Sequence, residues 1–196
     1  ANDDSNNPRW FSLEDGINNL QVGHMGNEKV YFRFADSVIE TTTGISLNQW
    51  HNVTWVNEGG VRNIYIDGIK MSTESGGISS NATYSAIGGG FPNYTTNGKI
   101  DDVRIYNYAR TPAQIQQDMA GGIAAAEGGS GGPVPDPVAY WKFDEGQGSN
   151  FYDSGPHNLT LTNSGTVWTN NGKFGKALDF TNDAVSVADN DALDFG

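Results

Sequence analysis

Short stretches of alternating apolar and polar residues, or short runs of β-branched and aromatic residues, recur along the chain between clusters of Gly, Asn and Asp. A period of two places successive side chains on opposite faces of a strand, so this pattern predicts strands. The predicted strands before residue 120 are 29–34, 37–42, 50–57, 62–66, 84–88 and 99–106. After residue 137 they are 138–144, 159–161, 177–180 and 184–187.

Two local signals refine this pattern. Asp67 and Gly68 stand between two apolar runs and predict a tight hairpin, because a type I′ turn needs the positive φ that Asp and Gly tolerate. Thr111 and Pro112 predict the start of a short helix near residues 111–119, since threonine caps helices and proline suits the first turn. One short helix among about ten strands predicts an all-β fold, a two-sheet antiparallel jelly-roll sandwich.

Residues 120–137 interrupt the pattern of strands. They contain no aromatic residue and combine a Gly/Ser stretch with prolines at 133, 135 and 137, a composition typical of a linker. The chain therefore divides into a part at 1–119, the linker, and a part at 138–196. The second part is too short to bury much of a core by itself.

Composition narrows the function classes. The net charge is −12 with only 11 Lys and Arg in 196 residues, which argues against nucleic-acid binding and suits divalent cations. No run approaches the roughly 18 apolar residues of a membrane span, so we expect no membrane insertion. The chain contains no cysteine, which excludes disulfides, thiolate metal sites and cysteine nucleophiles.

Several motifs resemble one known family. Trp-His-Asn-Val-Thr-Trp at 50–55 and Val-Arg-Asn-Ile-Tyr-Ile-Asp-Gly at 61–68 resemble a hairpin of laminin G-like domains in the concanavalin A-like lectin/glucanase superfamily. Ile-Gly-Gly-Gly at 87–90 and the stretch 97–115 are similar to the closing strand and terminal helical turn of that family. The stretches 138–148, 152–155 and 172–180 resemble its opening.

The order of these blocks is inverted, since the closing part precedes the opening part. The resemblance implies either a circular permutant or a segment that straddles two repeats of a tandem array. It also implies that about one central strand is lacking, which would leave backbone groups unpaired. We therefore hypothesise that either residues 1–7 or another chain supplies the lacking strand. If another chain supplies it, strand addition would produce a homo-oligomer or filament.

The resemblance also implies a structural calcium ion (Ca2+), because family members hold one near the first and last strands. Asp101, Asp144 and Asp153 are the ligands it implies, with Asp102 and Glu145 as adjacent alternatives. Carboxylate and carbonyl oxygens in turn-rich loops are the ligands that calcium prefers.

Candidate ligand-binding residues lie in polar segments that contain aromatic residues. A sugar site needs an exposed aromatic ring beside amide or carboxylate groups. Tyr94 and Asn93 in the loop 91–97 fit this description best, and Trp10 is a second candidate, although Trp10 is followed by Phe11 in a run that is also compatible with a buried strand.

Catalysis is not expected. Glycosidases of the superfamily carry two acids on one face of a strand, and no run of the form Glu-x-Asp-x-Glu occurs here. The leading hypothesis is a non-catalytic, extracellular binding or adhesion module of a secreted or cell-surface bacterial protein, with a glycan as partner. The alternative is a structural repeat or fibre subunit assembled by strand exchange, and a glycoside hydrolase ranks third.

Overall fold

The structure, a computed structural model, describes residues 7–14, 19–78, 83–89, 95–121, 135–163 and 165–194. Strands before the linker are β1 (Arg9–Glu14), β2 (Leu20–His24), β3 (Lys29–Phe34), β4 (Ser37–Gly44), β5 (Val53–Glu58), β6 (Val61–Ile66), β7 (Ile69–Ser75), β8 (Tyr84–Ile87), β9 (Thr96–Ile100) and β10 (Val103–Ile105). The helix α1 (Pro112–Met119) follows. Beyond the linker are β11 (Ala139–Trp141), β12 (Asn150–Phe151), β13 (Leu161–Asn163), β14 (Val167–Thr169), β15 (Ala177–Asp183), β16 (Val185–Val187) and a 3-10 helix (Asp191–Leu193).

The strands form two layers. One is an eight-stranded sheet in the order β12-β13-β16-β8-β1-β2-β3-β4. Facing it are two three-stranded sheets, β14-β15-β9 and β5-β6-β7, and a separate pair joins β10 to β11. The pairings are antiparallel throughout the described ranges. The predicted class, an antiparallel jelly-roll sandwich with one short helix, is confirmed.

Strands from the two sides of the linker are interleaved. β16 pairs with β8, β15 pairs with β9, and β11 pairs with β10. Buried side chains from both sides meet in one cluster, in which Leu13 and Ile87 lie with Trp141 and Phe180. Residues before 120 and after 137 therefore share one hydrophobic core.

Residues with a positive φ interrupt two of the predicted strands. The predicted strand 99–106 is split into β9 and β10 at Asp101 and Asp102, where Asp102 takes a φ of 53°. The predicted strand 138–144 ends at Trp141, because Phe143 takes a φ of 54° while its ring remains fully buried. A positive φ is incompatible with extended backbone and turns the chain at both places.

The predicted helix is present, and its capping explains why it starts where it does. The Thr111 hydroxyl accepts a hydrogen bond from the Gln114 N–H at 3.3 Å, and the Gln114 side chain accepts one from the Thr111 N–H at 2.9 Å. This reciprocal capping box satisfies two backbone donors at the helix start. The buried Ile115 then packs against Val56 and Tyr65 on the outer side of β5 and β6.

Candidate functional site

An open hollow of about 480 Å³ lies where the loop after β11 enters β12. The residues that line it are Glu145, Gln147, Gly148, Ser149, Asn150 and Tyr152. Alternation along β12 positions its aromatic member, because Phe151 is buried in the core while the neighbouring Tyr152 is 59% exposed. The hollow therefore joins an exposed ring to a carboxylate, two amides and a hydroxyl.

Hydrogen bonds hold this loop in shape. Glu145 Oε1 accepts from the Tyr152 N–H at 2.8 Å, which ties the two ends of the loop together. The indole N–H of Trp168, on β14, donates to the Gly148 carbonyl at 3.1 Å. Gly146 and Gly148 take φ values of 68° and 80°, which favour glycine and let the chain turn tightly.

The second carboxylate oxygen of Glu145 gives the hollow an unsatisfied acceptor. Glu145 Oε2 is buried and has no hydrogen-bond partner among the described residues. An unpartnered buried acceptor is costly, and because this oxygen is closed to solvent, a ligand hydroxyl could donate to it only after this part of the loop opened. Together with the amides of Gln147 and Asn150, the site offers the donors and acceptors that polyhydroxylated ligands need.

Two of the three predicted metal ligands meet at one turn. Asp101 Oδ2 accepts from the Phe174 N–H at 2.9 Å, and Asp144 Oδ1 accepts from the Lys176 N–H at 2.9 Å. Both carboxylates thus hold the turn 172–176. Asp101 Oδ1 is buried and has no hydrogen-bond partner in the described ranges, so its acceptor capacity is unused in this structure.

The third predicted ligand, Asp153, lies elsewhere and is occupied. Its Oδ1 accepts from the N–H groups of Tyr140 at 2.8 Å and Gly155 at 2.6 Å, and its Oδ2 accepts from Leu159 at 3.1 Å. Within the part of the chain that the structure describes, no group of three or more His, Cys, Asp or Glu side chains is arranged to hold a metal ion. A calcium ion at Asp101 would have to draw most of its ligands from carbonyl groups or water.

The two alternative ligands also have partners. Asp102 Oδ1 accepts from the Arg104 guanidinium at 3.2 Å and from the Tyr140 hydroxyl. Glu145 belongs to the 145–152 hollow. Of the two acids that hold the turn 172–176, Asp101 is the one with a buried oxygen that has no partner among the described residues, so we choose Asp101 for the test of ion binding.

Burial raises the pKa of Asp101 from 3.8 to about 6, although backbone hydrogen bonds from Phe174 and Lys173 act in the opposite direction. The nearby charge of Asp102 raises this pKa further. At pH values between these two pKa values, the Asp101 carboxyl binds a proton more tightly in the folded protein than in the unfolded chain. The free-energy contribution of Asp101 to folding therefore falls as the pH rises from about 4 to about 6.

We expect Asp101→Asn to gain stability relative to the parent protein as the pH rises through this window. The asparagine keeps an oxygen for the Phe174 N–H but carries no buried charge at neutral pH. Thermal unfolding of both proteins from pH 4 to pH 7, in chelator, measures the difference. A melting-temperature difference that does not change across this range would contradict the assignment.

Of the three predicted ligand-binding residues, the structure describes only Trp10. Trp10 is half-buried, packs against the core, and its ring centroid lies 5.6 Å from that of His24. This position is one of packing, so a binding role for Trp10 stays a prediction. Asn93 and Tyr94 lie outside the described residues, and their predicted role also stays a prediction.

One further polar cluster has a structural explanation. His51 Nδ1 lies 2.8 Å from Asp67 Oδ2, and its Nε2 lies 2.7 Å from Ser46 Oγ. The same Nε2 lies 3.1 Å from the Ser46 carbonyl, and Asp67 Oδ1 accepts from the Asn52 N–H at 2.8 Å. These contacts tie the segment that precedes β5 to the Asp67-Gly68 hairpin, so we assign the cluster to hairpin closure.

Sequence reasoning missed the 145–152 hollow. The signal was present, because Glu-Gly-Gln-Gly-Ser-Asn at 145–150 is a polar, glycine-rich turn followed closely by an aromatic residue. The family resemblance accounts for the same stretch as part of the opening block of the domain, so the motif by itself does not indicate a site.

Comparisons with known proteins agree with this architecture. No curated protein matches the chain. A solved structure of a proposed carbohydrate binding protein from Bacteroides ovatus aligns with 97% of this chain at 18% identity and a TM-score of 0.59. This chain spans about half of that protein, 51% of its length.

A second solved structure is that of an S-layer domain-containing protein from Clostridium thermocellum. The alignment covers 60% of this chain and 64% of that protein's chain, at 17% identity. Its TM-score of 0.28 is too low to support an argument. The laminin G family model described as the concanavalin A-like lectin/glucanases superfamily matches residues 1–116, more than half of the chain. By this match the chain belongs to the concanavalin A-like lectin/glucanases superfamily.

Proposed function

We propose that the protein is a non-catalytic carbohydrate-binding module and that its sugar ligand occupies the 145–152 hollow. The observation that carries this proposal is the exposed Tyr152 ring beside Glu145, Gln147 and Asn150 in one concave surface. An aromatic ring provides an apolar platform for the C–H face of a sugar, while amide and carboxylate groups orient its hydroxyls.

One structural neighbour supports a carbohydrate-binding function. The Bacteroides ovatus protein, whose fold this chain shares, is named for carbohydrate binding. The net charge of −12 disfavours anionic polysaccharides, because like charges repel, so we infer a neutral glycan. Recognition of glycans fits a secreted or cell-surface location, which is part of the proposal.

We propose that the hollow does not catalyse hydrolysis because of the number of acids that line it. Glycoside hydrolysis requires two carboxyl groups about 5–10 Å apart across the scissile bond. Glu145 is the one acid among the residues that line the hollow. We therefore propose binding without turnover.

Tyr152→Ala is expected to weaken glycan binding about tenfold, which corresponds to about 1.4 kcal/mol, the order of one aromatic stacking contact. Isothermal titration against neutral oligosaccharides selected on a glycan array provides the measurement. Tyr84→Ala is the matched control, because Tyr84 is another exposed tyrosine, 38% accessible, but lies on β8.

Two outcomes would redirect the proposal. If both tyrosine variants bind as the parent does while Tyr94→Ala loses binding, the sugar is bound by the loop 91–97. If the parent binds no neutral glycan, the carbohydrate-binding function itself is rejected.

Calcium stabilisation remains a separate proposal. The buried, unpartnered Oδ1 of Asp101 supports it, and we expect a weak site because no group of three or more His, Cys, Asp or Glu side chains converges within the described ranges. We expect calcium to raise the melting temperature of the parent protein and to leave that of Asp101→Asn unchanged at the same pH. Equal shifts in both proteins would place the ion elsewhere.

A further inference from the structure

The layer that faces the eight-stranded sheet is divided into two pieces. One piece ends at β9, which pairs with β15, and the other ends at β5, which pairs with β6. In the described ranges, no strand pairs with the other edge of either β9 or β5. Two strand edges are therefore open in the interior of a layer, where neighbouring strands would normally satisfy them.

Contacts with the eight-stranded sheet show where these edges lie. Phe180 of β15 lies directly against Gly88 at the end of β8, since a Cβ at Gly88 would be 2.1 Å from its ring. At the start of β9, the Thr96 hydroxyl donates to the Arg9 carbonyl of β1 at 2.7 Å. These contacts place β15 over β8 and β9 over β1.

The other piece covers the far end of the sheet. Trp55 of β5 stacks on Phe32 of β3 with ring centroids 4.1 Å apart and an interplanar angle of 4°. Ser72 of β7 donates to the Glu40 carbonyl of β4. These contacts join β8, β1, β3 and β4 to strands of the facing layer, and among the described residues none of these contacts involves β2, which lies between β1 and β3. The space between the unpaired edges of β9 and β5 is here called the strand gap.

The backbone of β5 presents a regular row of hydrogen-bonding groups to the strand gap. The Asp67 N–H donates to the Asn52 carbonyl at 2.9 Å, so residues 54, 56 and 58 bond to β6 by the alternation of an antiparallel pair. The N–H and C=O groups of Val53, Trp55 and Asn57 therefore point to the open edge. These N–H and C=O groups recur at every second residue, which is the spacing that an antiparallel or parallel neighbouring strand needs to form hydrogen bonds.

Side chains around the strand gap are also incompletely satisfied. Trp55 Nε1 and Asn57 Oδ1 are buried and have no hydrogen-bond partner among the described residues. Phe11 of β1 and Val22 of β2 lie near the middle of the eight-stranded sheet and pair with each other, yet both are only partly buried. An apolar floor with unsatisfied polar groups at one side is what a missing strand would leave.

We propose that the strand gap binds an extended peptide segment of a partner protein, which adds as a strand between β5 and β9. The flanking strands are six and five residues long, so the segment needs five or six residues in contact. Alternate apolar side chains would face Phe11 and Val22, and a neutral or basic segment suits a chain of net charge −12. This interaction goes beyond sugar binding and does not depend on it.

The test uses a synthetic peptide in which three valines alternate with three threonines between terminal lysines. Amide hydrogen exchange of the full chain, followed by NMR, is measured with and without the peptide at about ten times its dissociation constant. We expect the amides of Val53, Trp55 and Asn57 to exchange about tenfold more slowly with the peptide present. The matched control peptide carries N-methyl groups on alternate amides, which removes half of its donors, and should give no protection.

A pair of variants tests the geometry. Val53→Pro removes one N–H that points into the strand gap without removing a bond to β6, and proline is tolerated at the first residue of a strand. Val53→Ala keeps that N–H. We expect the proline variant to bind the peptide at least about tenfold more weakly than the alanine variant, while both keep the parent melting profile within a few degrees.

Three results would overturn the proposal. One is protection of the three amides in the free monomer, which would mean that the chain fills the strand gap itself. Another is protection that appears only with dimer formation in sedimentation experiments, which would identify a second copy as the occupant. The third is unchanged exchange at millimolar peptide. Glycan binding by the same samples reports on the proposed function separately.

Discussion

Trp141→Ala is expected to destabilise the protein by about 3–5 kcal/mol, which is a large part of the stability of a typical domain. Trp141 is 1% exposed, and its indole N–H donates to the Leu159 carbonyl at 2.6 Å. Truncation would remove a large buried side chain and leave the Leu159 carbonyl without this donor. Chemical denaturation followed by circular dichroism measures the loss.

The shape of this transition also tests the shared core. β11, which carries Trp141, pairs with β10 across the linker, and Trp141 belongs to the cluster that includes residues from both sides. We therefore expect one cooperative transition, shifted as a whole. A two-step curve in which only one step moves would show that the parts before and after the linker fold independently.

Trp141→Phe is the matched control. It keeps most of the apolar volume and removes the hydrogen bond, so we expect a loss of about 1–2 kcal/mol, well below that of the alanine variant. Equal losses in the two variants would mean that the hydrogen bond, and not packing, dominates at this position.

Local chemistry explains which elements the sequence predicted well. The strand at 29–34 was predicted with the bounds that the structure has, because its apolar and β-branched residues are bounded by turn residues. The hairpin at Asp67 and Gly68 was also predicted, and the two residues take φ values of 50° and 75° there. The conformation of such turns depends on residues that are adjacent in the sequence, so these turns can be predicted from the sequence.

Features that depend on distant contacts were not predictable in the same way. The positive φ of Phe143 is unusual for a bulky residue and follows from its burial, with its ring edge-to-face 5.7 Å from Phe151. The strand β2 was missed because Leu-Gln-Val-Gly-His has little β-propensity by itself and is held by partners on both sides.

The candidate site follows the same rule. Alternation along Asn150, Phe151 and Tyr152 is readable from the sequence, but the hydrogen bonds of Glu145 with the Tyr152 N–H and of Trp168 with the Gly148 carbonyl, which hold the loop from two sides, are not. The family resemblance pointed to Asp101, Asp144 and Asp153 as one ligand set, yet Asp153 accepts three backbone hydrogen bonds elsewhere. A motif gives residue types, whereas convergence of side chains depends on the packing of the whole loop.

Asp118→Ala is expected to cost about 3–5 kcal/mol, because it leaves a buried guanidinium without its carboxylate. Asp118 lies on α1 and accepts two hydrogen bonds from Arg110, from Nε at 3.0 Å and from Nη2 at 2.6 Å. The side chains are only 12% and 4% exposed. Tyr106 donates to the same carboxylate at 3.2 Å, and Arg104 Nη1 lies 3.9 Å from it.

A double-mutant cycle separates the pair from the helix itself. Arg110→Met keeps an apolar stem over the Tyr106 ring, whose centroid lies 4.3 Å from the guanidinium carbon, and removes the charge. We expect the combination of Arg110→Met with Asp118→Ala to cost clearly less than the sum of the single changes, since no buried charge of this pair is then left alone. Because the pair is buried, the coupling should change little between low and high salt. Additive losses, or a coupling abolished by salt, would show that Asp118 acts only as a surface helix residue.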